Sequence, residues 1–247
     1  MDNPTRLLLE KTVFALECSG LLPEDASAPT SLAFSSGMQA VTSILLAHST
    51  SGKGATTTVL IPTDVYHGVR SLLSDVFSRH GVEVRELNMV NDNNDETSGG
   101  AEAVANAIRD VAANTANERS EVNKNNRSSI IVWMETPSNP KCQVVDIKAI
   151  CDAARSEQDR FHEILDVTTV VDGTMASPVL TRPLEVRRLP SIAPLFYHRE
   201  FMELRFFFYL NLNHSNANFF ELFLVYFLCI FCFVLFCFVI PNMLRKK

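Results

Sequence analysis

The sequence lacks a basic excess, a cysteine framework and an apolar leader. Its formal net charge at pH 7 is −6 over 247 residues. The shortage of cations is local. Residues 1–185 carry 15 Lys+Arg against 25 Asp+Glu, whereas residues 186–247 carry 7 against 3. A main body this acidic would not displace the counterions of a phosphate backbone, which argues against nucleic acid as its partner. Cys18, Cys142 and Cys151 are scattered, with neither metal spacing nor a paired pattern. The one C-x-x-C, Cys229 and Cys232, lies with Cys237 among Phe, Leu and Ile. These are read as small buried hydrophobes, so no metal site is expected, and the body suits a reducing compartment. Met1-Asp2-Asn3-Pro4 has no basic start leading into an apolar run, so no signal peptide is read there.

What is present divides the chain in two. Of 17 Phe, 13 lie at or beyond Phe196, where the charge balance has also changed sign. Two compositions this different rarely share one core. The reading is therefore a body over 1–185, a linker over 186–218 and an apolar segment over 219–241.

Within the body, apolar patterning alternates between short runs and helical stripes. Residues 7–18 place Leu7, Leu8, Val13, Phe14 and Leu16 roughly on one helical face, with Thr5 as the candidate N-cap. A turn-rich stretch over 19–31 precedes a buried helix at 38–48. Strand 57–62, helix 65–80 closed by Gly81, and strand 82–87 form a strand–helix–strand unit. Residues 88–100 and 113–128 are polar and Asn-rich, with a short amphipathic helix on Val104, Ile108 and Val111 between them. A strand over 129–135, a helix from Ile147 and a strand over 168–172 follow. Such alternation predicts an α/β fold with a mostly parallel sheet covered on both faces.

Ligands of open parallel sheets bind beyond the carboxyl ends of the strands. Three segments qualify. Ser35-Ser36-Gly37-Met38 runs into the 38–48 helix, where free N–H groups and the positive end of the dipole suit a phosphate; ordinary helix capping is the plain alternative. Glu135-Thr136-Pro137-Ser138-Asn139-Pro140 follows a strand, its prolines bracketing Asn139, with a plain turn as the alternative. Asp172 ends a strand, where it would pair with a cationic ring nitrogen or simply cap the next turn. Tyr66, after Asp64, offers an aromatic face to a planar group or to the core.

Taken in order, NPTR with LE and ALE (residues 3–17), FSSGMQA, DVYHG, ETPSNP with VVDIKAI, and VVDGTMASPVLTRPL resemble the cystathionine lyase and synthase family. These are the pyridoxal-phosphate-dependent transsulfuration enzymes of cysteine and methionine metabolism. The resemblance covers about residues 3–185. It implies the large domain of fold type I, the aspartate-aminotransferase-like fold, in truncated form. It also implies pyridoxal 5'-phosphate as cofactor, a sulfur amino acid such as cystathionine as substrate, a homotetramer and a cytoplasmic location. Gly37 and Met38 would offer N–H groups to the cofactor phosphate. Tyr66 would stack on the ring and serve catalysis, and Asn139 would contact the ring hydroxyl. Asp172 would pair with the pyridinium nitrogen and keep it protonated, so that the ring acts as an electron sink. Gly173 stands where the family has Asn, and His67 where it has Gly.

The resemblance also implies a Schiff-base lysine in a Ser-x-Thr-Lys segment some dozens of residues beyond Asp172. The only lysines after Asp172 are Lys246 and Lys247. An amine is needed to hold the aldehyde and to move protons, so the chain is expected to bind cofactor without turnover. Leu222 to Ile240 is a run of 19 uncharged, largely apolar residues, followed by Arg245-Lys246-Lys247. At ~1.5 Å per residue such a helix nearly spans a ~30 Å hydrocarbon core. The 219–241 segment is thus a candidate transmembrane helix, which would make the chain a membrane-anchored, non-catalytic module. Its Phe- and Cys-rich composition is odd for an evolved span and is what a translated intron would give, which is the reading placed first.

Overall fold

The computed structural model describes residues 3–17, 30–49, 56–90, 99–118, 127–176, 181–183, 195–196 and 236–240. Thirteen elements follow in order, including one 3₁₀ turn at Phe77–His80: α1 (Pro4–Glu17), β1 (Thr30–Phe34), α2 (Gly37–His48), β2 (Thr57–Pro62), α3 (His67–Asp75), β3 (Val82–Leu87), α4 (Gly99–Glu118), β4 (Ser128–Glu135), α5 (Ile147–Arg160), β5 (Leu165–Asp172), β6 (Leu195–Phe196) and β7 (Phe236–Ile240). Five strands form one sheet in the order β3-β2-β4-β5-β6, every pair parallel.

The pleat divides the core. Val59, Ile61, Ile131, Trp133 and Val170 face one side, against Ala40, Val41, Ile44 and Leu45 of α2 and Val69 and Leu73 of α3. Leu60, Ile130, Val132, Met134 and Val171 face the other, against Val104, Ile108 and Val111 of α4 and Ile150 and Cys151 of α5. Strands covered on both faces need no polar alternation, which is why β2 and β4 are buried along their whole length. From β2 the chain steps to β3 through α3 on the first face. It then returns past β2 to β4 through α4 on the second. Right-handed crossovers require this change of face when the direction reverses. The reversal opens a crevice between the carboxyl ends of β2 and β4.

Several expectations need correction. The cap of α1 is Asn3, not Thr5: Asn3 Oδ1 accepts the Thr5 N–H at 2.9 Å, and Pro4 takes the first helical position, where its missing N–H costs nothing. The expected 65–80 helix is α3 followed by the 3₁₀ turn, closed by Gly81 at φ 82. Helix α4 is longer than predicted and runs through 113–118, because Val111, Ala112 and Thr115 continue its buried stripe. Of the two polar stretches, 91–98 and 119–126 lie outside the described residues. Strand β1 takes the last two residues of the expected turn-rich stretch and runs on to Phe34.

The apolar segment at 219–241 is corrected too. Its described part, Phe236–Ile240, is not helical: β7 pairs antiparallel with β1, Phe34 opposite Phe236 and Thr30 opposite Ile240. Phe, Val and Ile suit a pleated surface, and β1 supplies the backbone partners. Residues 219–235 lie outside the described residues. Among the described residues no helix is long and apolar enough to cross a membrane. Leu195–Phe196, expected in a linker, adds β6 to the sheet beside Val171 and Asp172.

Candidate functional site

The crevice collects the residues singled out from the sequence. Helix α2 begins there. Ser36 caps it, its hydroxyl accepting the Gln39 N–H at 3.1 Å, while its carbonyl takes the Ala40 N–H. Gly37 and Met38, in the first helical turn, have no acceptor within the helix for their N–H groups. Ser35 is tied back to the Gln39 amide, which fixes the turn against the helix it precedes.

Tyr66 sits at the start of α3 with its backbone held on both sides. Its carbonyl accepts from Val69 and Arg70, and its N–H donates to Glu135 Oε2 at 2.8 Å. The residue is 41% exposed, and its ring folds back over Gly68. A Cβ on Gly68 would lie 2.5 Å from Tyr66 Cε1 and 3.1 Å from Met38 Sδ. Glycine is therefore what lets the Tyr66 ring and the Met38 sulfur approach one place.

The loop after β4 is tightly built. Ser138 N–H donates to the Gln143 carbonyl and accepts, through its own carbonyl, from Cys142, which adopts φ 55. The Ser138 hydroxyl donates to Asp64 Oδ2 and accepts from the Gln143 N–H; Asp64 also accepts the Lys141 N–H at 3.1 Å. Asp64, seated just after β2, thereby pins the loop that carries Asn139. The Asn139 N–H lies near enough to Glu135 to favour its charged form. Asn139 itself is half-buried.

Asp172 ends β5 directly opposite Glu135 in the sheet register. It is 6% exposed, and Oδ1 accepts both the Thr174 N–H at 2.9 Å and the Thr174 hydroxyl at 2.6 Å. Capping of the following turn is thus real, but the carboxylate is not a solvated one. Met38 and the Tyr66 ring meet over Gly68, the Tyr66 and Asn139 backbones approach Glu135, and Asp172 stands opposite Glu135. Two residues of equal geometric weight, Glu135 and Asp64, were not singled out from the sequence. The available signal was a carboxylate closing the apolar run 129–134, and another two residues past the end of 57–62.

Electrostatics separates these acids. Burial pushes the Glu135 carboxyl from its ordinary 4.5 up to about 8; the negative charge of Asp172 adds to the rise, with Asp64 contributing less, while the Tyr66 and Asn139 N–H groups oppose it. Among the described residues no group of His, Cys, Asp and Glu has an arrangement that would hold a metal ion.

The residues present fit pyridoxal phosphate on this chemistry. A helix start with unclaimed N–H groups suits a dianionic phosphate. A buried carboxylate at the strand end suits a cationic ring nitrogen, and an exposed aromatic face held by a glycine cradle suits a planar ring. Comparison with known proteins agrees. Residues 1–187 match the family described as Cys/Met metabolism PLP-dependent enzyme. The chain is 29% identical over 184 residues to cystathionine beta-lyase MetC of Bacillus subtilis, and 33% identical over 184 residues to cystathionine gamma-synthase of Mycobacterium tuberculosis. Each alignment covers 74% of this chain and 35% of the relative, so the chain spans about a third of their length. Among solved structures it is similar to metB from Corynebacterium glutamicum, with a TM-score of 0.60 and 23% identity over 97% of this chain and 43% of that one. That likeness establishes the fold alone. With the match over 1–187 covering the α/β body and every residue of the crevice, the chain belongs to the pyridoxal-phosphate-dependent enzyme family of cysteine and methionine metabolism.

Proposed function

We propose that this chain is the cofactor-binding part of a transsulfuration carbon–sulfur lyase or synthase, and that it holds pyridoxal phosphate reversibly. The observation that carries this reading is Asp172, a buried carboxylate opposite Glu135 at the crevice where Tyr66 and Met38 meet. When bound, the cofactor supplies an electron sink for a carbanion next to the substrate nitrogen. The chain's own residues do the rest. Gly37 and Met38 hold the phosphate through their N–H groups, and the Tyr66 ring covers one face of the cofactor ring and excludes water from it. Asn139 orients the ring through its hydroxyl, and Asp172 keeps the proton on the ring nitrogen. The substrate class is a sulfur amino acid of the cystathionine type, as in the named relatives.

No lysine lies between Lys148 and Lys246. On this reading the chain forms no covalent link to the aldehyde and does not turn over. Residues 188–247 stand outside the family match. Sequencing the mature transcript across the codons for 180–200 distinguishes a genuine continuation from a translated intron.

Titrating the full chain with pyridoxal phosphate, followed by absorbance, tests the reading. Saturable binding that washes out on dialysis is expected, with no label left on the denatured protein after borohydride reduction. Absence of saturable binding overturns cofactor binding. A borohydride-fixed label on a single lysine overturns the non-covalent reading.

A further inference from the structure

Glu135 joins segments that follow two different strands, and no role in the proposed function uses it. It ends β4, is 3% exposed, accepts the Tyr66 N–H at 2.8 Å from the segment after β2, and lies near the Asn139 N–H of the loop after β4. The charged groups acting on it are the Asp172 carboxylate from β5 and Asp64 from the segment after β2. Lys141 donates only its backbone N–H, and to Asp64. Among the described residues no cation forms an ion pair with Glu135. Two charged carboxyls side by side in a buried strand register would repel each other, and Asp172 already has two donors on one oxygen.

We infer that Glu135 is the positioning residue of this site: as a neutral carboxylic acid it clamps the Tyr66 and Asn139 backbones into one frame and leaves Asp172 as the anion that faces the ligand. The clamp explains how two loops from different strands keep a fixed separation. Its neutrality explains how Asp172 tolerates a second buried acid beside it. The part of this inference that concerns the ligand rests on the proposed function. The clamp and its protonation belong to the chain itself.

Two measurements separate these. In the first, wild type and Glu135→Gln are unfolded by denaturant from pH 5 to pH 9 without ligand. Gln keeps an acceptor for the two N–H groups but cannot ionise. A carboxyl that holds its proton in the fold and loses it when unfolded makes the unfolding constant of wild type rise, relative to Glu135→Gln, by up to tenfold per pH unit, levelling off near pH 8. A ratio that stays flat above pH 5 overturns the inference. Should Glu135→Gln fail to fold, infrared spectroscopy of wild type with ¹³C-labelled glutamate carboxyls decides the matter. One glutamic acid still protonated at pH 7 is expected, and complete ionisation by pH 6 overturns it.

In the second, pyridoxal phosphate is titrated at pH 6.5 into wild type, Glu135→Gln and Glu135→Ala. Glu135→Gln should bind within about twofold of wild type and Glu135→Ala at least tenfold more weakly. Equal affinity for Glu135→Ala and wild type overturns the clamp. Failure of wild type to bind at all, with the pH-dependent ratio intact, overturns the proposed function and leaves the neutral clamp standing.

Discussion

At the amino ends of β2, β4 and β5 the buried polar groups are mostly hydroxyls that satisfy one another, whereas at the carboxyl ends of the same strands three carboxyls crowd together. Thr56, Ser128 and Thr115 share hydroxyl hydrogen bonds of 2.9 and 3.0 Å, Ser129 donates to the His48 carbonyl at 2.7 Å, and Thr168 meets His48 Nδ1 at 3.2 Å. At the other end, Asp64, Glu135 and Asp172 are each under a tenth exposed. The apolar middle of each strand is common to both ends, so sheet packing does not account for the difference. Neutral groups that pair internally close one edge and stabilise it. At the other edge burial and the neighbouring Asp172 charge raise the Glu135 carboxyl, and perturbed acids of this kind gather where a ligand is held.

The largest expected effect comes from removing the anion at the open end. Asp172→Asn should weaken pyridoxal phosphate binding about 100-fold, equivalent to ~3 kcal/mol, because the amide cannot offset the ring charge. Its circular dichroism should be unchanged. Loss of less than threefold would move the cofactor away from β5.

Next in size, the two ends should respond to pH with opposite signs. Glu135 keeps its proton in the fold up to about 8 but releases it near 4.5 when unfolded, so the folded chain binds more protons between those values. Its contribution to stability is therefore complete below 4.5 and shrinks as pH rises toward 8, by about 2 kcal/mol between pH 5 and 7. Burial lowers the pKa of His48 from 6.5, only partly opposed by Asp166. Its contribution is present above 6.5 and falls away as pH drops below that value. Glu135→Gln should flatten the first limb and His48→Gln the second, each read from denaturant midpoints across pH.

A smaller effect follows from the cradle. Gly68→Ala places a methyl group against the Tyr66 ring and Met38 sulfur, which must move apart. Affinity for pyridoxal phosphate should fall about fivefold, or ~1 kcal/mol, measured by absorbance titration. The smallest concerns the closed end. Thr168→Val should cost about 0.5–1 kcal/mol of stability and leave cofactor affinity unchanged, which thermal and ligand titrations would check together.

Much of this contrast was legible in the sequence. Continuous apolar runs marked β2 and β4, and VVD placed Asp172 at a strand end, where the structure has it capping the next turn. Ser35-Ser36-Gly37 announced the start of α2. What escaped was whatever depended on distant partners. Strand β1 has a short, unremarkable run that becomes a strand through pairing with β7, some 200 residues on. The apolar 219–241 segment has the length of a membrane helix, yet its described end is extended, since hydropathy does not register a waiting strand edge. Helix α4 outran its prediction because Thr115, polar by type, buries its hydroxyl against Val111 and Ser128. Glu135 and Asp64 escaped for a related reason: a strand-end acid looks ordinary until the sheet sets it beside another.

The central claim is that Asp172 holds a proton on the ring nitrogen of a bound pyridoxal phosphate, and nitrogen magnetic resonance of ring-¹⁵N-labelled cofactor on the full chain tests it most directly. On wild type the ring nitrogen should remain protonated from pH 6 to pH 8, and on Asp172→Asn it should deprotonate within that range. A ring nitrogen that titrates identically on both proteins would contradict the account.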